Sequence, residues 1–195
     1  DKTLVIRPYS GISGDILVAG LAGLFSSPSD QLATSFRRLN LDENIQCSVK
    51  SIARKGVTGY QLSLLLERSS EHRNLADIKK IISGTSISPR AKRFSETAFE
   101  IIAQAESRVH GISLDEVHFH EVGAIDAIVD ICGVCVAIEA LGIERVLCGA
   151  LPGGTGTVNC AHGEMAVPVP AVVALAQDRF SIVYGQGHGE MVTPT

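Results

Sequence analysis

The sequence of 195 residues has no tryptophan, only three tyrosines and no excess of either charge, with 17 Lys and Arg against 21 Asp and Glu. Without a basic field or aromatic stacking platforms, we expect no nucleic-acid partner. The longest apolar runs, such as residues 16–25, fall short of the roughly 20 residues that cross a bilayer. The sequence therefore predicts a soluble protein with no membrane partner.

The sequence also lacks a regular pairing of cysteines, because the five cysteines are odd in number and have no paired spacing. That pattern argues against a disulfide framework and favours a reducing compartment, so we expect a cytoplasmic protein. The one close pair, Cys132 and Cys135, lies in an apolar stretch, which predicts burial in a helix rather than a zinc site.

The order of patterns predicts a mixed α/β fold of the α+β type. A strand at 3–7, helices at 15–25 and 29–39, and a hairpin of 46–53 with 60–66 suggest a sandwich-like β-α-β-β unit over residues 1–70. Residues 71–195 follow as a helical region with a mixed sheet: helices at 75–82, 89–109, 124–141 and 170–177, strands at 143–147 and 180–184. Since the chain starts at Asp1, we expect a piece of a longer protein.

The stretch VHFHEVGAIDAIVD at 117–130 places five potential metal ligands among apolar residues. If 118–120 is extended, His118 and His120 share one side, and Asp126 and Asp130 share a helix face at i,i+4 spacing. With Glu121 they would suit Ni²⁺, Mn²⁺ or Zn²⁺. The alternative is that the histidines bond neighbouring backbone and the aspartates cap a helix.

Three other segments carry candidate ligands. Residues 10–15 join a strand to a helix, where amide groups can hold a phosphate, although a tight turn with Ser13 as N-cap would look the same. The loop at 152–156 precedes Cys160 and His162, donors soft enough for nickel. His72 and His110 are expected at the surface, and His188 on a flexible loop. The predicted ligand-binding residues of the first two segments are Ser10, Gly11, Ser13, Gly14, Asp15, Gly154 and Gly156.

Four motifs carry a family resemblance. They are SGISGD at 10–15, VHFHEVGAIDAIVDI at 117–131, CAHGEMAVPVPA at 160–171 and EMVTPT at 190–195. In this order and at these intervals the chain resembles the LarC family of nickel-insertion proteins. The resemblance covers nearly the whole chain. Arg7 stands where members commonly carry an acidic residue, and the histidine-rich tract of many members is reduced to His72.

The resemblance implies a CTP-dependent cyclometallase that inserts Ni²⁺ into pyridinium-3,5-bisthiocarboxylic acid mononucleotide for lactate racemase-type enzymes. It implies a C-terminal portion that binds CTP with Mn²⁺ or Mg²⁺, which we expect to be absent here, and leaves a homo-oligomer open. Glu121 or Asp126 would accept the ring proton. The expected nickel ligands are His118, His120, Glu121, Asp126, Asp130 and His162.

Two other functions compete with this interpretation. The first is a nickel chaperone or store that makes no new bond. The second is a metal-dependent phosphohydrolase, because the His-x-His-Glu pattern with downstream aspartates would also suit a two-metal site.

Overall fold

The computed structural model describes residues 1–39, 46–65, 73–119, 122, 124–160 and 163–195, apart from the side chains at positions 32, 33 and 35. Within these ranges the predicted mixed α/β fold is confirmed. The helices are α1 Gly14–Ala22, α2 Pro28–Arg37, α3 Leu75–Gly84, α4 Pro89–His110, α5 Ile125–Ala140 and α6 Pro170–Ala176. The strands are β1 Thr3–Ile6, β2 Gln46–Arg54, β3 Val57–Leu65, β4 Arg73–Asn74, β5 His118–Phe119, β6 Arg145–Cys148, β7 Leu151–Pro152, β8 Thr157–Cys160, β9 Gly163–Ala166 and β10 Ile182–Val183.

The helix boundaries follow local signals in the sequence. Helix α4 begins where the Ser88 hydroxyl accepts a hydrogen bond from the backbone N–H of Ala91 at 3.0 Å and Pro89 takes the first helical position. It ends at Gly111, whose left-handed backbone, with φ 65°, suits a residue without a β-carbon. Asn74 and Asp77 form a capping box at the start of α3.

The strands pair two by two in the described residues. Strands β2 and β3 form the predicted antiparallel hairpin. Strand β1 does not join it, because β1 pairs in parallel with β6. Helix α1 packs against both β3 and α5, so the N-terminal elements share packing with the rest of the chain. The predicted boundary at residue 70 falls within 66–72, outside the described residues, and the division at that point stays a prediction.

Helix α5 forms the centre of the core. Most of its residues are buried, and it contacts α1, α2 and α4. Its cysteines, Cys132 and Cys135, are buried as predicted, and burial raises the pKa of the Cys132 thiol to about 12. Phe119 of β5 packs edge-on against Phe99 of α4, with ring centroids 6.4 Å apart. In the part of the chain that the structure describes, no helix is both long and apolar enough to span a membrane.

Candidate functional site

A cavity of about 170 Å³ lies between the start of α5 and the last six residues of the chain. Its walls carry three carboxylate side chains, and we call it the acidic cavity. The C-terminal segment reaches it because Ile12 pairs with Val192 in a parallel bridge, which lays residues 190–195 beside the loop before α1. The lining residues are Val122, Asp126, Ala127, Asp130, Glu190, Thr193, Pro194 and Thr195.

Asp130 is the buried carboxylate of this cavity, with only 8% of the residue exposed. It accepts a hydrogen bond from the backbone N–H of Asp15, but its Oδ1 has no hydrogen-bond partner among the described residues. Burial, and then the charges of Asp15 and Asp126, raise its pKa to about 7. A buried carboxylate oxygen without a partner is costly unless a ligand contacts it, so Asp130 is the strongest functional candidate here.

Gly14 at the start of α1 allows this helix to approach Asp130. A β-carbon at Gly14 would lie 2.6 Å from Cβ and 2.7 Å from Oδ2 of Asp130. Since real β-carbons do not approach so closely, any side chain at position 14 would push α1 away from α5. The glycine predicted to bind a nucleotide thus has a packing role that brings the Asp15 amide to Asp130.

Replacing Gly14 with Ala should therefore lower the free energy of unfolding by about 1–3 kcal/mol, the usual cost of overpacking. Gly20→Ala in the same helix is the matched control, because a β-carbon there meets nothing within 4 Å. The control should be neutral or stabilising by about 0.5–1 kcal/mol, since alanine is the better helix former. Urea denaturation of both variants measures the difference. Equal stabilities would show that α1 and α5 separate without cost.

The structure brings only part of the predicted metal site together. Asp126 and Asp130 line one cavity, as their spacing predicts. His118 is exposed on β5 and lines none of the three cavities described here. His120, Glu121 and His162 lie outside the described residues. Among the residues that are described, no group of three or more His, Cys, Asp or Glu side chains could hold a metal ion. The nickel-ligand set thus stays a prediction.

The loop from Ser10 to Asp15 uses several of its polar groups within the protein. The backbone N–H of Gly11 donates to the Pro8 carbonyl, and that of Ile12 donates to the Met191 carbonyl at 2.8 Å. Ser13 takes the N-cap position of α1, but its hydroxyl donates to the Asp15 carboxylate and makes no capping bond. The turn expected as the alternative is therefore present, and the predicted phosphate contact is not tested.

The glycine-rich loop at 152–156 packs on the loop at 185–189. A β-carbon on Gly154 would lie 2.2 Å from the Gly189 carbonyl oxygen, and Gly154 has φ 73°. The Thr155 hydroxyl donates to the Gly187 carbonyl at 2.7 Å. Close approach of two backbones explains the glycine at 154. Gly156 has φ 90° with open space around it, so only its backbone conformation requires glycine.

A second cavity, of about 140 Å³, lies beside the β8–β9 hairpin, and we call it the hairpin cavity. His110 is exposed, as predicted, yet it lines this cavity, and its Nε2 lies 3.3 Å from Oε2 of Glu106. The Cys160 thiol faces the same space and donates to the Gly163 carbonyl. Glu190 and Pro194 line both this cavity and the acidic one.

A third cavity, the apolar cavity, is the largest of the three at about 460 Å³. It lies between α1, α4, α6 and the C-terminal segment. Aliphatic side chains form most of its wall, and Ser13, Arg179, Thr193 and Thr195 are its main polar residues. It shares Thr193, Pro194 and Thr195 with the acidic cavity. Sequence reasoning missed Glu190, Thr193 and Arg179, although the EMVTPT motif contains the first two.

Fold and cavities together define an α/β protein with a carboxylate-lined cavity. The chain belongs to the family described as "Nickel insertion protein", which matches residues 4–195, and the resemblance carried by the motifs is thereby confirmed.

Two relatives show how far the likeness extends. The chain is 37% identical over 194 residues to the pyridinium-3,5-bisthiocarboxylic acid mononucleotide nickel insertion protein of Staphylococcus epidermidis, covering 100% of this chain and 48% of the relative. It is 37% identical over 211 residues to the protein of the same name from Alkaliphilus metalliredigens, covering 98% and 50%. The chain thus spans about half the length of these curated relatives. No solved structure matches it significantly.

Proposed function

We propose that the protein takes part in inserting Ni²⁺ into pyridinium-3,5-bisthiocarboxylic acid mononucleotide, with nickel and the mononucleotide both as substrates. The observation that carries the proposal is Asp130, a buried carboxylate with an unpartnered oxygen in an acidic cavity. Family membership and the names of the relatives supply the metal and the class of nucleotide.

The acidic cavity supplies two things that this reaction needs. The carboxylates of Asp126, Asp130 and Glu190 do not form a complete metal site by themselves, but their charges can attract Ni²⁺. Without the tight thiolate ligands of a structural site, the metal can also leave. A carboxylate can also accept the proton when the ring C4–H bond breaks and the nickel–carbon bond forms. Nickel stays divalent in that step, and the two thiocarboxylate sulfurs complete its bonds to the nucleotide. Glu121 and Asp126 remain our candidates for the proton acceptor, alongside Asp130.

Dependence on CTP with Mn²⁺ or Mg²⁺, and delivery to a lactate racemase-type enzyme, belong to the same proposal for the whole protein. The described residues do not form a three-ligand metal group that would fit a CTP-bound cation, and the Ser10–Asp15 loop lacks the Gly-Lys-Ser/Thr ending of a Walker loop. We therefore assign no step through CTP to residues of this chain.

The test is formation of a nickel–nucleotide adduct that survives a chelator, since a nickel–carbon bond outlasts simple coordination. The protein is incubated with Ni²⁺ and the mononucleotide, with and without CTP and Mn²⁺, and the adduct is measured by mass spectrometry. The full-length Staphylococcus relative serves as the positive control. Asp115→Asn, in the exposed 3-10 turn at Leu114–Glu116, should behave like the parent, whereas Asp130→Asn should form little adduct.

Two results would contradict the proposal. Stoichiometric Ni²⁺ binding without adduct, under conditions in which the relative forms it, would favour a nickel chaperone or store. Metal-dependent cleavage of simple phosphoesters that is lost in Asp130→Asn would favour a phosphohydrolase.

A further inference from the structure

The three cavities differ in charge. The acidic cavity carries Asp126, Asp130 and Glu190, and the hairpin cavity carries Glu106 and Glu190. Among the described residues that line the apolar cavity there is no Asp or Glu. Arg179 lines the apolar cavity and is the only Lys or Arg on the described walls of all three. A phosphate dianion is repelled by the first two cavities and attracted to the third.

The start of α1 is a poor competitor for that phosphate. The Asp15 amide already donates to the Asp130 carboxylate, and the Gly11 and Ile12 amides donate to backbone carbonyls. The first turn of the helix also carries the Asp15 side chain, whose charge opposes an anion. One amide of this helix N-terminus is thus used by the protein itself, and the Asp15 charge disfavours an anion at the rest.

Arg179 is better placed than the start of α1 to bind a phosphate. It follows the C-terminus of α6 and is exposed. Its Nη1 lies 3.5 Å from the Leu175 carbonyl oxygen, beyond the usual length of an N–H to O hydrogen bond. The guanidinium fork matches a phosphate with two parallel hydrogen bonds. Binding a phosphate in this way would break only the long contact between Arg179 and the Leu175 carbonyl oxygen.

We propose that Arg179 binds the phosphate of a pyridinium mononucleotide whose ribose and ring lie in the apolar cavity and reach the acidic cavity. The inference rests on the proposed function and assigns the phosphate subsite of that substrate. A volume of about 460 Å³ is within the usual range for small-molecule sites. Thr193, Pro194 and Thr195 line both this cavity and the acidic cavity, so the two cavities lie side by side.

The experiment compares two stable ligands, nicotinic acid mononucleotide and nicotinic acid riboside, which differ only in the phosphate. Calorimetry should show the parent binding the mononucleotide at least about tenfold more tightly, as expected for a charge-assisted contact. Arg179→Gln should bring this ratio close to one and leave riboside affinity unchanged. Rising salt concentration should weaken the binding of the mononucleotide to the parent, and it should have a much smaller effect on binding to the Arg179→Gln variant.

Arg108→Gln is the matched control. Arg108 is also exposed and also contacts α6, with its Nη2 3.5 Å from the Ala174 carbonyl oxygen, but it lines none of the three cavities. Its substitution should preserve the preference for the phosphate. A parent without that preference, or an Arg179→Gln variant that keeps it, would overturn the inference. Neither ligand requires nickel, so this failure is distinct from a failure of adduct formation.

Discussion

Replacing Asp130 with Asn should raise the stability of the folded protein at pH 8 and lower its nickel affinity by at least about 100-fold. Loss of an outer-shell partner of a metal ligand typically costs about 10–100-fold in affinity, so loss of a proposed ligand should cost more. The gain in stability follows from burial, since the parent must keep a carboxylate charged in a poorly hydrated cavity beside Asp15 and Asp126.

The pH dependence of the free energy of unfolding should identify this residue. The pKa of Asp130 is about 7 in the folded protein, against 3.8 for an unperturbed aspartate. Between these values the unfolded chain loses the proton while the folded protein keeps it, so stability falls as pH rises and the full penalty applies above pH 7. The rise from 3.8 to about 7 corresponds to roughly 4 kcal/mol. Screening by solvent in the open cavity reduces this figure, so Asn should remove a penalty on the order of 2–3 kcal/mol at pH 8.

Thermal unfolding of the parent and variant in a chelating buffer, from pH 4 to pH 8.5, measures this effect. The two should have similar melting temperatures near pH 4, and the variant should melt roughly 4–10 °C higher at pH 8. Asp115→Asn is the control for removing one negative charge, because Asp115 is exposed. If the variant is no more stable than the parent at pH 8, Asp130 is ionised without penalty and our account of the cavity is wrong.

Replacing His118 and His120 together with Ala should sharply reduce the preference for Ni²⁺ over Mn²⁺. Oxygen donors alone suit Mn²⁺ and Mg²⁺, whereas imidazole nitrogen favours nickel. The acidic cavity offers only oxygen donors from the described residues, which give a modest preference for nickel, so we expect these histidines to supply most of the selectivity. We expect the double variant to lose most of its nickel affinity, by roughly 100-fold, while its weaker Mn²⁺ affinity changes little.

Competition titrations with the two metals measure the ratio of affinities directly. His188→Ala is the control, since its Nδ1 contacts the Thr155 hydroxyl at 3.2 Å and it lines none of the three cavities. His110 is unsuitable because it lies beside Glu106 in the hairpin cavity. A fall in nickel affinity at low pH does not identify histidine here, because Asp130 also titrates near pH 7. Unchanged selectivity in the folded double variant would leave His118 and His120 without a metal role.

The helices could be predicted from the sequence because their signals are local. Pro89 and Gly111 bound α4, and the observed α5, Ile125–Ala140, lies within one residue of the prediction at each end. The hairpin of β2 and β3 has the same origin, since alternation and a short turn are read within a few residues.

The acidic cavity needed contacts that no local pattern contains. Asp126 and Asp130 were predicted to share a face, but Glu190 and Thr193 reach them through the bridge between Ile12 and Val192. The close approach of Gly14 to Asp130 likewise depends on how α1 packs against α5. Such pairings join distant parts of the chain, and their geometry follows from the packing of the whole core.

The segment at 190–195 forms part of the wall of every cavity described above, and Pro194 lines all three. A ligand that shifts this segment on filling one cavity changes the free energy of filling the others. Such coupling is reciprocal at equilibrium. If bound nucleotide raises the affinity for the metal by some factor, bound metal raises the affinity for the nucleotide by the same factor. The order in which a cell presents the two proposed substrates would then alter the rate of assembling the ternary complex and leave its final stability unchanged.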